Sequence, residues 1–147
     1  MLSWPICAKP NAARAHQGSF GNSARAQEQL GHDGLMVTIG AVRPSEAVGL
    51  RTIRLAALDA DPTAFGRTHV EEAAYGEDHW IERAAGSEIG QTFMAVLNNE
   101  FVGVCGAHLP TLGGPVELVS VWTAPATRGH GVGRSLVETV LEWATRS

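Results

Sequence analysis

Apolar and polar positions from residue 36 onward switch between two periods. Met36 to Arg43 alternates and is β-branched enough for a first strand, which Pro44 closes. Ala47, Leu50, Ile53 and Ala57 then recur at helical spacing, with Ser45 as the expected N-cap and Asp61-Pro62 as the stop. After the loop at Pro62-Thr63-Ala64-Phe65-Gly66, the run Thr68-His69-Val70-Glu71 has the spacing of a capping box and predicts a second helix. That helix is expected to break or bend near Gly76, with Asp78 recapping a short piece through Trp80, Ile81 and Arg83. Thr92 to Leu97 and Phe101 to Gly106 have β character, and Asn98-Asn99 between them tolerates the left-handed backbone of a tight hairpin. A turn at Leu112-Gly113-Gly114-Pro115 leads into a strand from Val116, and Pro125 ends it. In the last segment Val132, Leu136, Val140 and Ala144 share one helical face, flanked by Val137 and Leu141, while Arg134, Glu138 and Glu142 fall elsewhere. The order is β-α-α-β-β-β-α, an α/β chain with helices on a mixed sheet.

Residues 1 to 35 break this patterning. Gly, Ser, Ala, Asn, Gln and scattered Arg dominate there without an apolar period, so the segment reads as a disordered tail, and residues 36–147 read as one domain. The apolar start at Met1-Leu2-Ser3-Trp4-Pro5-Ile6-Cys7 is too short for a secretory signal. A transit peptide and a physiological start at Met36 both remain open readings of the tail.

Composition narrows the function. A chain of 147 residues, 44% hydrophobic, suits a single core. Its net charge of -4 argues against broad nucleic-acid binding, which needs a basic face. No run has the length and apolarity of a membrane span. Cys7 and Cys105 lie in unlike contexts without metal-like spacing, so neither a disulfide framework nor a metal site is expected, and a reducing cytoplasmic setting fits. Cys105, within Phe101-Val102-Gly103-Val104-Cys105, is expected to be a buried, inert thiol.

Arg128-Gly129-His130-Gly131-Val132-Gly133 stands where the last helix begins. Glycines there allow close approach of a ligand and expose unpaired amides, and the helix N-terminus with Arg128 and Arg134 favours a phosphate or pyrophosphate. Arg134-Ser135 follows in place of Lys-Ser/Thr, which excludes a P-loop. The spacing G-x-G-x-G, with the chain ending before an acidic residue about 20 positions on, fits a dinucleotide fingerprint badly. The stretch resembles the coenzyme A loop of the GNAT acyltransferase superfamily, Arg/Gln-x-x-Gly-x-Gly/Ala. Val121-Trp122-Thr123-Ala124-Pro125 is similar to the end of that family's fourth strand, whose main chain pairs with the pantetheine arm.

The resemblance implies an acetyl-CoA-dependent N-acetyltransferase in which a primary amine attacks the thioester directly. The acceptor would be a small-molecule amine or a protein N-terminus. It also implies that Val121, Trp122, Thr123, Arg128, Gly129, His130, Gly131, Val132, Gly133, Arg134 and Ser135 form the coenzyme site, and that the amide near Trp122 donates to the thioester carbonyl. Glu117 is the expected base, through a water; an ordinary solvated strand-edge glutamate is an equal reading. Trp122 reads either as a wall of the acceptor cleft or as a sheet-packing aromatic. His130 is expected to matter through its amide, and His69, His79 and His108 as surface or polar-contact residues. Ser120 and Ser135 lack a His/Asp arrangement for nucleophilic catalysis.

The resemblance covers about residues 36 to 147, and a full domain of this family continues with further strands. The alternative expectation is therefore a truncated, catalytically weak remnant that binds CoA or a partner. Its last strand would have an open edge that associates into a homodimer.

Overall fold

The computed structural model describes the backbone of residues 27–30 and 36–146 and the side chains of residues 36–146. Its elements run β1 (Gln27–Leu30), β2 (Met36–Ala41), α1 (Ala47–Ala60), α2 (His69–Ala73), α3 (Glu77–Ala85), β3 (Gly90–Leu97), β4 (Glu100–His108), β5 (Glu117–Thr123) and α4 (Val132–Arg146). The strands form one sheet in the order β1-β2-β3-β4-β5, and every pairing among them is antiparallel. The α/β layering thus comes from helices on both faces.

One correction concerns the tail. Gln27–Leu30 pairs with β2, from Gln27 opposite Ile39 to Leu30 opposite Met36, so this part of the segment joins the sheet edge. Its sequence, Gln-Glu-Gln-Leu, has no apolar alternation, and pairing of this kind is made by main-chain groups that any residue carries. The remainder of the tail, with Cys7, lies outside the described residues.

Two caps also differ from expectation. Ser45 is not the N-cap of α1, because Pro44–Glu46 forms a short 3₁₀ turn first. The Glu46 carboxylate accepts the Arg43 amide at 2.9 Å and the Arg43 Nη2 at 3.0 Å, closing that turn from its third residue. α3 starts after Gly76, and Asp78 lies in its first turn, where its charge suits the helix N-terminus without capping it. The capping box before α2 is as expected: the Glu71 amide donates to Thr68 Oγ1 at 3.2 Å, and the Thr68 amide donates to Glu71 Oε2 at 2.8 Å. The hairpin also holds, with Asn98 and Asn99 at φ of 51° and 62°.

Alternation along the strands divides the core. Ile39, Phe93, Ala95, Cys105 and Ala107 pack with Val132, Leu136 and Val140 of α4 on one face. Met94, Val104 and Trp122 pack with Leu50, Ile53 and Ala57 of α1 and Trp80 and Ala84 of α3 on the other. Gly103 sets how closely α4 lies. A Cβ there would stand 2.9 Å from Leu136 Cδ1 and 3.3 Å from Val132 Cγ1, so the missing side chain seats the first turns of α4 against the sheet. Cys105 is fully buried, and that burial pushes its thiol up to about 12, an inert group.

Candidate functional site

β5 is irregular where it matters. The register runs Glu117 opposite His108, Leu118 opposite Ala107 and Val119 opposite Gly106, then resumes with Trp122 opposite Val104. Ser120 and Val121 therefore share the place opposite Cys105, and Ser120 takes φ of 55°, a left-handed conformation rare outside glycine. This bulge resets the alternation. Trp122 turns to the layer of α1 and α3, and Thr123 turns to α4, where a Cβ on Gly133 would lie 3.7 Å from Thr123 Cγ2. Leu118 and Val121 stay exposed, and no described strand pairs with the outer edge of β5.

The chain leaves β5 through Ala124 and a 3₁₀ turn at Pro125–Thr127. Gly129 and Gly131 follow at φ of 83° and 82°, and a Cβ on either would meet nothing within 4 Å. The two glycines thus serve backbone shape and leave open space in front of the loop. α4 begins at Val132, with the Ser135 amide donating to the Gly131 carbonyl at 3.0 Å. Helical geometry leaves the amides ahead of Ser135 without intrahelical acceptors, and the first turn holds no acidic residue. An anion placed there meets amides and the helix dipole together.

The side chains of the loop divide by role. Val132 is core, so only its main chain can serve a ligand. Arg134 is exposed and paired with Glu138 at 2.8 Å. His130 is half-buried, as is Ser135, whose carbonyl accepts Thr139 Oγ1. Arg128 braces the loop: its Nε donates to the Thr123 carbonyl at 3.1 Å and its Nη2 to Asp61 Oδ2 at 2.9 Å. The same Asp61 oxygen accepts Trp122 Nε1–H at 2.7 Å. Hydrogen bonds from Trp122 and then Arg128 hold the Asp61 carboxyl below its usual range. Asp61, at the C-cap of α1, thus ties that helix to both β5 and the loop, a role that its reading as a helix stop missed.

Trp122 is buried and packs with the α1 and α3 layer, so its sheet-packing reading is the one observed. The cleft on that face has a volume of about 660 Å³, and Trp122 is not among its lining residues. Glu117 is. It sits 3.8 Å from His108 Nδ1, both on the cleft wall with Val119 and Ser120. The same lining brings together charged residues whose pairing the sequence did not show. Arg54 donates to both oxygens of Glu72, at 2.9 and 2.8 Å, and Arg83 reaches Glu72 Oε2 at 3.3 Å. Among the described residues no group of three or more His, Cys, Asp or Glu could hold a metal ion. No helix among them is long and apolar enough to cross a membrane.

Comparison with known proteins agrees with this geometry. The family model for "Acetyltransferase (GNAT) family" matches residues 52–147. The chain belongs to that family, and its class is that of the N-acetyltransferases. It is similar in fold to the GNAT domain of PAT from S. lividans, at TM-score 0.65 and 15% identity over 82% of this chain and 72% of that one. The PaiA N-acetyltransferase from Thermoplasma acidophilum, solved in complex with coenzyme A, matches at TM-score 0.62 and 10% identity, over 76% and 74% of the two chains. The aminoglycoside acetyltransferase HMB0005 from an uncultured soil metagenomic sample matches at 0.61 and 18%, over the same shares. No curated protein matches the sequence.

Proposed function

We propose that this chain transfers the acetyl group of acetyl-CoA to a primary amine, with residues 36–147 as the acetyltransferase unit. The observation that carries this reading is the loop itself: two glycines at positive φ with open space before them, at the mouth of a helix and beside a strand edge that no described strand pairs. In this reading the pyrophosphate lies against the amides of Gly129, His130, Gly131, Val132, Gly133 and Arg134 and beside Ser135. The pantetheine arm pairs with the main chain of Val121, Trp122 and Thr123. Arg128 acts by positioning the loop through Asp61 and Thr123 and by leaving its charge nearby. The cytoplasm, where acetyl-CoA is made available, is the proposed location.

Acetyl-CoA supplies an activated acyl carbon. The amine in the cleft attacks that carbon, its proton passes to Glu117 through a water, and a main-chain amide near Trp122 donates to the carbonyl oxygen as charge develops there; the C–S bond then breaks, and coenzyme A leaves as a thiolate that takes up a proton. His108, 3.8 Å from Glu117, positions that carboxylate. Glu117→Gln is expected to lower kcat by about 10²-fold or more while leaving the affinity for CoA unchanged. Equal kcat in the variant and the parent would remove Glu117 from the mechanism. Binding of CoA by calorimetry, and release of its free thiol with a panel of amines, test the reading as a whole.

Self-association through β5 belongs to the same proposal. Its outer edge, which no described strand pairs, is rich in Val and Leu, and two such edges can pair. Because pantetheine would occupy that edge, light scattering of the 147-residue chain is expected to show dimers that dissociate as CoA is added. A monomer at all concentrations, or dimers indifferent to CoA, would count against edge pairing.

A further inference from the structure

The cleft beside Glu117 differs in sign from the rest of the chain. Over the whole chain acids outnumber bases, for a net charge of -4. The cleft wall instead holds three guanidiniums, Arg54, Arg67 and Arg83, against the carboxylates of Glu72 and Glu117, with the imidazole of His108 beside them. Glu72 is shared, since both of its oxygens accept from Arg54 and one also from Arg83. Burial and then the charge of Arg54 lower the Arg83 pKa, the direction expected where cations are crowded.

A second observation points to a guest. Arg54 is 4% exposed, and its Nη1 is buried with no hydrogen-bond partner among the described residues. Its guanidinium is held in place by two bonds to Glu72 and by the ring of Phe65, whose centroid lies 4.4 Å from Cζ. Buried donors seldom go unpaired, and a fixed guanidinium on a cleft wall matches a planar carboxylate. Phe65 also lines the cleft and offers an apolar surface beside the charges.

We propose that the acceptor is a small amine that also carries a carboxylate, an amino acid in the simplest case, with the carboxylate held by the Arg54, Arg67 and Arg83 group. This rests on the acetyl-transfer reading above. The amine end then lies toward Glu117 and the β5 bulge, where attack on the thioester takes place. A polyamine would place several positive charges against three guanidiniums and is disfavoured.

The test uses the full chain and a panel of free amino acids, each paired with its carboxamide, together with spermidine. Calorimetry without CoA reads the cleft alone, and thiol release with acetyl-CoA reads transfer. At least one amino acid is expected to bind about tenfold or more tightly than its amide, a difference typical of charge-assisted hydrogen bonds. Arg67→Gln, a half-buried position away from the Glu72 bonds, is expected to lower the acid's affinity by about tenfold and to leave CoA affinity as it was. Equal binding of acid and amide, tighter binding of spermidine, or no binding by any of them overturns the proposal. Failure of the acetyl-transfer reading looks different: CoA then does not bind, or no thiol is released, whatever the preference in the cleft.

Discussion

Gly131→Val is expected to abolish binding of coenzyme A. Gly131 sits at φ of 82°, where a β-branched residue costs roughly 1–2 kcal/mol or more, so the loop would shift to a different backbone shape. The side chain would also stand in the open space in front of the loop, where a pyrophosphate must come within hydrogen-bonding distance of the amides. Both effects act on the loop. Gly131 precedes a helix whose apolar face is independently held by Val132, Leu136 and Val140, so the fold should survive with a modest fall in melting temperature.

Gly133 separates strain from obstruction. A Cβ there makes only an ordinary contact with Thr123 and no positive φ is involved, so Gly133→Ala strains nothing in the free protein. Alanine even favours the helix by up to about 1 kcal/mol. If the amides of α4 receive the pyrophosphate, this variant melts no lower than its parent and still binds CoA more weakly. Calorimetry on both variants beside their melting curves decides it. Unchanged CoA affinity in a folded Gly131→Val protein would dispose of the loop assignment.

How legible these parts are in the sequence follows from how local their causes are. The capping box at Thr68 and Glu71 is written within four residues, and so is the Asn98-Asn99 turn. The stripe of Val132, Leu136 and Val140 needs only a helical period. The glycine loop is equally local, because chain direction, helix start and positive φ all lie between Pro125 and Val132.

Other features needed the third dimension. β1 has no apolar rhythm, since its pairing is made by main-chain groups. The bulge at Ser120 appears only once β5 is laid against β4, because nothing in Glu-Leu-Val-Ser-Val-Trp-Thr marks one serine as left-handed. Strict alternation from Glu117 would have put Val121 in the α1 and α3 layer in place of Trp122. Asp61 bonds to Trp122 and Arg128 across more than sixty positions, and Arg54 to Glu72 across 18. A charged residue in a helical stretch reads as solvated face, and Glu72 in particular continues the acidic run begun by Glu71. Only the packing of α1, α2 and α3 shows that one of these two neighbouring glutamates is exposed and the other is 2% exposed.

That buried glutamate carries the largest effect expected on stability. Glu72→Gln removes the charge that two guanidiniums face and leaves Arg54, itself 4% exposed, without its ionic partner. Breaking a buried pair from one side costs about 3–5 kcal/mol, because the remaining charge stays desolvated. Burial by itself would raise the Glu72 pKa. Hydrogen bonds and charge from Arg54, with those from Arg83, outweigh it and hold the carboxyl below its ordinary value. The sign follows: the folded pKa lies below the unfolded one, so the contribution is complete above the unfolded value of roughly 4.3 and is lost as pH falls through the folded one. Urea melts at pH 7 and at acid pH should therefore show a stability gap between parent and Glu72→Gln that narrows on acidification. The double change Glu72→Leu with Arg54→Met should lie closer to the parent than either single change, since the more deeply buried of the two guanidiniums then leaves together with its carboxylate. A Glu72→Gln protein within about 0.5 kcal/mol of its parent at pH 7 would mean that water reaches the pair, and that α1, α2 and α3 are held by their apolar contacts alone.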